Sequence, residues 1–228
     1  MPADITLLDI FAIFFFFGAW YSISWIGTHY KNTEKTTLST ISRTFRNQWM
    51  ANLLTRDNRI SDVALLGNLM RSVSFFASTS LLVLAGVIAV FGTVEDVINI
   101  IKGVPFAQIV SPEFTKLKLL LLVFIFIYSF FKLVWSLRQY NTTIFMIGAS
   151  PDEFESNEDL QSYATNLGIV LHRASRHFTE GMRGFEYALA ALSWFIHPML
   201  FILASILVSL VVYRREFASK TLQAMSDD

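Results

Sequence analysis

The chain contains no cysteine. That absence excludes disulfides, thiolate metal sites, a thiol nucleophile and S-palmitoylation, and it leaves the redox compartment open. Neither sign of charge is in excess: 18 Lys and Arg face 18 Asp and Glu, so net charge directs the chain toward neither nucleic acid nor an acidic partner. Internal repeats, Gly/Ser linkers and low-complexity tracts are missing too. No P-loop, dinucleotide glycine pattern or nucleophile motif occurs, and the Gly181–Gly184 segment is too short and wrongly placed for phosphate binding. The carboxylates between Pro151 and Asp159 lack the alternation of a calcium loop. His172 and His177 stand five apart, so they do not share a helical face as a metal pair at i, i+4 would. The expectation is a protein without metal, cofactor or catalytic residue.

What the chain has is apolar length. Some 54% of it is hydrophobic and 22 residues are Phe, arranged in long uncharged runs that a soluble domain has no use for. Four spans are expected, at about 5–26, 73–91, 117–137 and 185–213. The first opens on a sequence with no basic region and no small-residue cleavage site, and reads as an uncleaved signal anchor. It holds Asp9 near one edge, read as an interfacial carboxylate, and Trp20, Tyr21, Trp25 and Tyr30 as an aromatic belt near the other. Lys118 and Lys132 sit toward opposite ends of the third span, where both can snorkel. His197-Pro198 falls inside the fourth. Proline removes a donor there and predicts a kink, with a neutral His197 bonding a carbonyl that the kink frees.

The second span has the most specific pattern. Val73 to Phe91 is uncharged, and if the helix begins at Asp62, with Ser61-Asp62 at its cap, its first turns stand out of the membrane. Ala64, Gly67, Arg71, Ser74, Ser78, Ala85, Ala89 and Gly92 recur at helical spacing, broken only near Leu81 and Leu82. All but Arg71 are small. Such a stripe predicts close helix packing or, in a symmetric oligomer, the lining of a conduit in which Leu81 and Leu82 form a hydrophobic constriction.

Between the spans lie two polar segments, about 36–72 and 156–184, each with an amphipathic helix. In the first, Leu38, Ile41, Phe45, Trp49 and Leu53 share a face with Arg43, Arg46 and Asn47 off it. The segment suits docking on the bundle or on anionic lipid. In the second, Leu160, Tyr163, Leu167, Leu171, Ala174 and Phe178 oppose His172, Arg173, Arg176, His177, Glu180 and Arg183. With Arg56, Arg59 and Asp62 these make a candidate charge network, with i, i+4 pairs expected for His172–Arg176, Arg173–His177 and Arg176–Glu180. Thr93 resembles a capping residue for a short helix, and Ser111-Pro112-Glu113 and Ser156 announce two longer ones.

Basic residues set the expected topology. Seven lie between His29 and Ser72 and four between Arg138 and Gly184, against two in the loop of Lys102 and Lys116 and three in the C-terminal tail. Both termini are therefore expected outside, and both long polar segments in the cytoplasm.

Two stretches resemble a known family. They are T-R-D-N-R-I-S-D-x-x-L-L-G-N-L-M-R-S-V-S-F-F-A-S-T-S-x-L-V-L-A-G, from Thr55 to Gly86, and R-H-F-T-E-G-M-R-G-F-E-Y-A-L-A-A-L-S-W-F-I-H-P, from Arg176 to Pro198. Both are similar to domain-of-unknown-function 599, a membrane family of bacteria and plants, although Glu186 stands where its members usually carry an aromatic. The resemblance implies a multi-pass membrane protein and no assigned reaction, ligand or catalytic residue.

The expected architecture is thus all-α, with four transmembrane helices plus at least two amphipathic cytoplasmic helices in one integral domain of a bacterial inner membrane. The leading functional expectation is a homo-oligomeric channel or transport-related protein with the Arg71–Ser74–Ser78 face near the symmetry axis. One alternative is a non-enzymatic scaffold or sensor whose cytoplasmic helices bind anionic lipid or a partner protein. Another is a lipid-modifying enzyme, which requires His172, His177, Glu180 and Glu186 to share one membrane-edge pocket.

Overall fold

The computed structural model describes residues 4–29, 37–105 and 107–226; Tyr30, Lys31 and Lys35 lie outside the described residues. These form eight α-helices: α1 Leu7–His29, α2 Leu38–Leu54, α3 Ile60–Val90, α4 Val94–Lys102, α5 Pro112–Gly148, α6 Asn157–Leu192, α7 Pro198–Phe217 and α8 Lys220–Ser226. No strand occurs among the described residues. Four helical stretches are long and apolar enough to cross a bilayer: α1, α3 running on into α4, α5, and α7 running on into α8.

Local chemistry sets most of the boundaries. Thr37, Ser111 and Ser156 each accept the backbone N–H three residues on, at 3.2, 3.4 and 3.1 Å, and so start α2, α5 and α6. Pro112 occupies the first turn of α5, where its missing N–H costs nothing. Two expected caps are made differently. Asn58, not Ser61, accepts the Ile60 N–H at 3.0 Å, and Asp62 is turned inward to Trp49 and Arg56. The Thr93 side chain caps nothing; a single 3-10 turn, Phe91–Thr93, carries α3 directly into α4.

The centre of the molecule is an antiparallel pair, α5 and α6, in contact along nearly their full lengths. The Tyr163 hydroxyl donates to the Met146 carbonyl at 2.6 Å near one end, and Ser136 donates to the Ala174 carbonyl at 2.7 Å midway. At the other end Lys118 Nζ donates to the Trp194 carbonyl at 2.8 Å. Glycine permits the approach: a Cβ on Gly181 would lie 2.8 Å from Leu133 Cγ, and one on Gly184 would overlap Ser129 Oγ. On the flanks, α3 packs Leu66, Val73 and Ala77 toward α5, α2 lies on α6, and α1 packs against α7.

The fourth span departs from expectation. Residues 185–213 are not one kinked helix but the two arms of a hairpin. The helix of α6 ends at Leu192, a 3-10 turn covers Ser193–Phe195, and α7 starts at Pro198 and runs back beside α6. Tyr187 on one arm meets Ser209 on the other at 2.8 Å, and Arg215 meets Glu186 at 2.7 Å. The cause is steric. A residue before proline is pushed out of the α region, and His197 is extended at φ −159° and ψ 139°. Its Nδ1 accepts the Met199 N–H at 3.1 Å, so His197 caps the new helix instead of bonding a freed carbonyl.

The hairpin decides where the chain ends. Asp4 accepts the Ser111 N–H at 2.9 Å at the bundle end that holds Asp9, Lys118 and Trp194. Glu216, at the close of α7, accepts the Ser39 N–H at 3.0 Å at the end that holds α2. The described termini therefore lie at opposite ends of the bundle.

Candidate functional site

Three constellations stand out. The first is the outward face of α3. Toward the bundle α3 presents Asp62, Leu66, Val73, Ala77 and Ser80, all buried. The small-residue stripe points away: Ala64, Arg71, Ser74, Ser78, Leu81, Leu82, Ala85 and Ala89 are exposed, and Gly67 is partly so. A Cβ on Gly67 would meet nothing within 4 Å. Packing within the protomer does not account for this stripe. Arg71 donates to the Asn68 side chain one turn back, while Thr79 and Ser80 return their hydroxyls to Phe75 and Phe76 carbonyls.

The second is the charged end of the α5/α6 pair, where the expected network divides into separate groups. Glu180 is buried and takes Lys132 at 2.6 Å, Arg176 at 2.9 Å and, at 3.5 Å, His177 Nδ1, which lacks hydrogen-bond geometry. Lys132 therefore does not snorkel to water; it neutralises Glu180 between helices. Of the three expected i, i+4 pairs, Arg176–Glu180 forms. His172 instead faces α2, where Arg46 Nη1 lies 3.2 Å from its Nδ1 and Arg46 Nη2 donates to Ser175 at 2.8 Å. Burial, reinforced by Arg46, Arg43 and Arg176, pushes the His172 pKa down to about 4. Arg173 is exposed. Further out, Arg56 and Trp49 converge on Asp62 at 2.6 and 2.7 Å, and Arg59 binds Ser150 and the Leu54 carbonyl, tying the α2–α3 turn to the end of α5. Arg183, one turn deeper than Glu180, is only 5% exposed, and its Nε has no hydrogen-bond partner among the described residues.

In α2, Arg46 and Asn47 face α6, while Phe45 is exposed. This turns α2 partly away from the expected orientation: Leu53 and Trp49 still pack on the core and Arg43 is exposed, but the surface of α6 opposite Arg46 and Asn47 is Gly168, His172 and Ser175, which suits polar side chains. His172, His177, Glu180 and Glu186 do not gather in one pocket. His177 approaches Glu180, but His172 belongs to Arg46 and Glu186 to Arg215.

The third constellation, at the opposite end, is absent from the sequence expectations. Asp9 and Lys118 are fully buried rather than interfacial. Trp194 joins them: its Nε1 donates to Asp9 Oδ1 at 2.8 Å and its carbonyl accepts from Lys118. Thr6 closes on Asp9 Oδ2 at 2.6 Å, and the ammonium lies 4.9 Å from the centre of the Phe114 ring. The available signal was one charge of each sign in two spans at matching depth, which is a pairing prior in lipid.

These features define a helical, polytopic membrane protein with several charged side chains buried between its helices. The chain belongs to the family described as "Protein of unknown function, DUF599", whose model matches residues 11–221. No curated protein and no solved structure matches it.

Proposed function

We propose that the protein is a homo-oligomeric channel or transport-related protein of a bacterial inner membrane, with the Arg71–Ser74–Ser78 face of α3 turned to neighbouring copies around an axis. The observation that carries this reading is that the small-residue stripe is turned away from its own bundle. Single surface leucines need no explanation in lipid. A file of Gly67, Ser74, Ser78, Ala85 and Ala89 at spacings of seven and four gives poor lipid contact and good backbone approach. Ser74 and Ser78 make no hydrogen bond among the described residues, so water or a second copy would satisfy them. Leu81 and Leu82, 47% and 74% exposed, are placed to form an apolar constriction beyond the hydroxyls.

The charge distribution supports an orientation with α2 and α8 in the cytoplasm. That end carries Arg43, Arg46, Arg56, Arg59, Arg138, Arg173, Arg176, Arg214, Arg215 and Lys220; the other carries Lys102 and Lys116. The tail arginines, which oppose a four-pass topology, agree with the hairpin.

The native absence of cysteine makes the test direct. Single Ser74→Cys and Ser78→Cys variants in membranes should give disulfide-linked dimers, whereas Leu207→Cys, on the exposed side of α7, should not. Reconstituted protein should pass small ions, and Leu82→Ser should raise the flux. A monomer in membranes without crosslinks, or no flux for any small ion tested, overturns the reading.

A further inference from the structure

Arg183 poses a problem that the bundle itself does not solve. An ionised guanidinium taken out of water costs several kcal/mol unless it is paired, and Arg is the side chain suited to bidentate contact with phosphate. Around it, Lys132, Arg176, Arg183 and Arg215 oppose two carboxylates, Glu180 and Glu186, both already engaged. The cluster holds an excess of positive charge at the depth where the apolar part of α5 gives way to polar sequence.

A groove lies beside this cluster. It runs between α1 and α5, has a volume of about 270 Å³, and is lined by Phe17, Trp20 and Tyr21 on one helix and Leu121, Phe124 and Tyr128 on the other. Its lining is apolar until Tyr128 and Ser24. Tyr128 marks the charged end, with Lys132 Nζ 5.4 Å from its ring centre. Arg183 stands on α6 one turn before Tyr187 and beside Gly184, which packs on Ser129 next to Tyr128. Those two rings pack on either side of Trp20, at 5.3 and 5.2 Å. An apolar groove with Lys132 beside its Tyr128 end, and near it a buried Arg183 that forms no ion pair among the described residues, has the form of a lipid site: chain in the groove, headgroup at the cations.

We propose that this groove binds one anionic phospholipid, with an acyl chain along Phe124 and Phe17 and the phosphate at Arg183 and Lys132. The site is separate from the outward face of α3 and stands whether or not that face lines a conduit.

The test uses the full chain, delipidated in detergent, with thermal unfolding and native mass spectrometry as readouts. Phosphatidylglycerol should raise the melting temperature saturably and remain bound as a one-to-one adduct. Diacylglycerol with the same chains, and inorganic phosphate alone, should do neither. Arg183→Gln should weaken phosphatidylglycerol binding at least tenfold. If that variant does not fold, Phe124→Gln, at a 61% exposed position, tests the groove without touching the charges and should also weaken binding. Equal stabilisation by diacylglycerol, full protection by inorganic phosphate alone, or unchanged lipid binding in a folded variant overturns the proposal.

Discussion

Lys118 and Asp9 never touch a common solvent; Trp194 stands between them, giving its indole N–H to one at 2.8 Å and its carbonyl to the other at 2.8 Å. The tryptophan sits in the turn that separates α6 from α7. The charges of α1 and α5 thereby hold the turn of the hairpin, and the predictions that follow begin from this triad.

Removing one charge should hurt more than removing both. Lys118→Met leaves Asp9 buried without a countercharge and should cost about 3 kcal/mol. Asp9→Asn combined with Lys118→Met should recover much of that loss. Melting temperatures of the two single variants and the double variant, in one detergent, give the coupling; strictly additive losses would show that the two charges are independent.

The contact of α5 and α6 should not tolerate a methyl group at Gly181. Its Cβ would lie 2.8 Å from Leu133 Cγ and 3.3 Å from the Ser129 carbonyl, so Gly181→Ala should cost about 1–3 kcal/mol by overpacking. Gly67 gives the contrast. A Cβ on Gly67 meets nothing within 4 Å, so Gly67→Leu should leave the melting temperature of a monomer unchanged, while lowering the oligomer fraction seen by native mass spectrometry.

His172 makes stability depend on acid. Its pKa, near 6.5 in the unfolded chain, falls to about 4 in the fold. The unfolded state therefore binds more protons between pH 6.5 and 4, and stability falls as pH drops through that window and is unaffected above it. Because the ring is partly exposed, the loss is about 1–2 kcal/mol rather than the full value of the shift. Unfolding followed at pH 7 and pH 4.5 should show it, and His172→Gln should flatten this part of the profile.

Sidedness can be read with single cysteines and an impermeant maleimide on intact cells. Thr93→Cys, in the turn before α4, should label, and Gln223→Cys, in α8, should label only after permeabilisation. Labelling of both on intact cells would restore a topology with the two termini together.

Much of the fold was legible in sequence, because apolar length and capping residues are local signals. The starts of α2, α5 and α6 and the four apolar stretches follow from Thr37, Ser111, Ser156 and hydropathy. The C-terminal half of α6 was not legible as a packed partner of α5. Arg176, Glu180, Arg183 and Glu186 conceal it from any hydropathy window, and their partners, Lys132 and Arg215, are distant in sequence. The same holds for Asp9 and Lys118. A lone charge near a span end looks interfacial until tertiary packing supplies its counterpart. Proline at 198 was visible, but whether a helix bends or reverses there depends on what waits to pack against the returning arm.

The reversal at His197-Pro198 also bears on how the protein enters its membrane. A segment holding Arg183 and Glu186 is costly to insert alone, since unpaired charged side chains at membrane depth are unfavourable. Its favourable partners are α5, already made, and α7, made directly after it. Biogenesis should therefore proceed by delivery of α6 and α7 together, with the nascent chain committed only once the ribosome has passed Arg215.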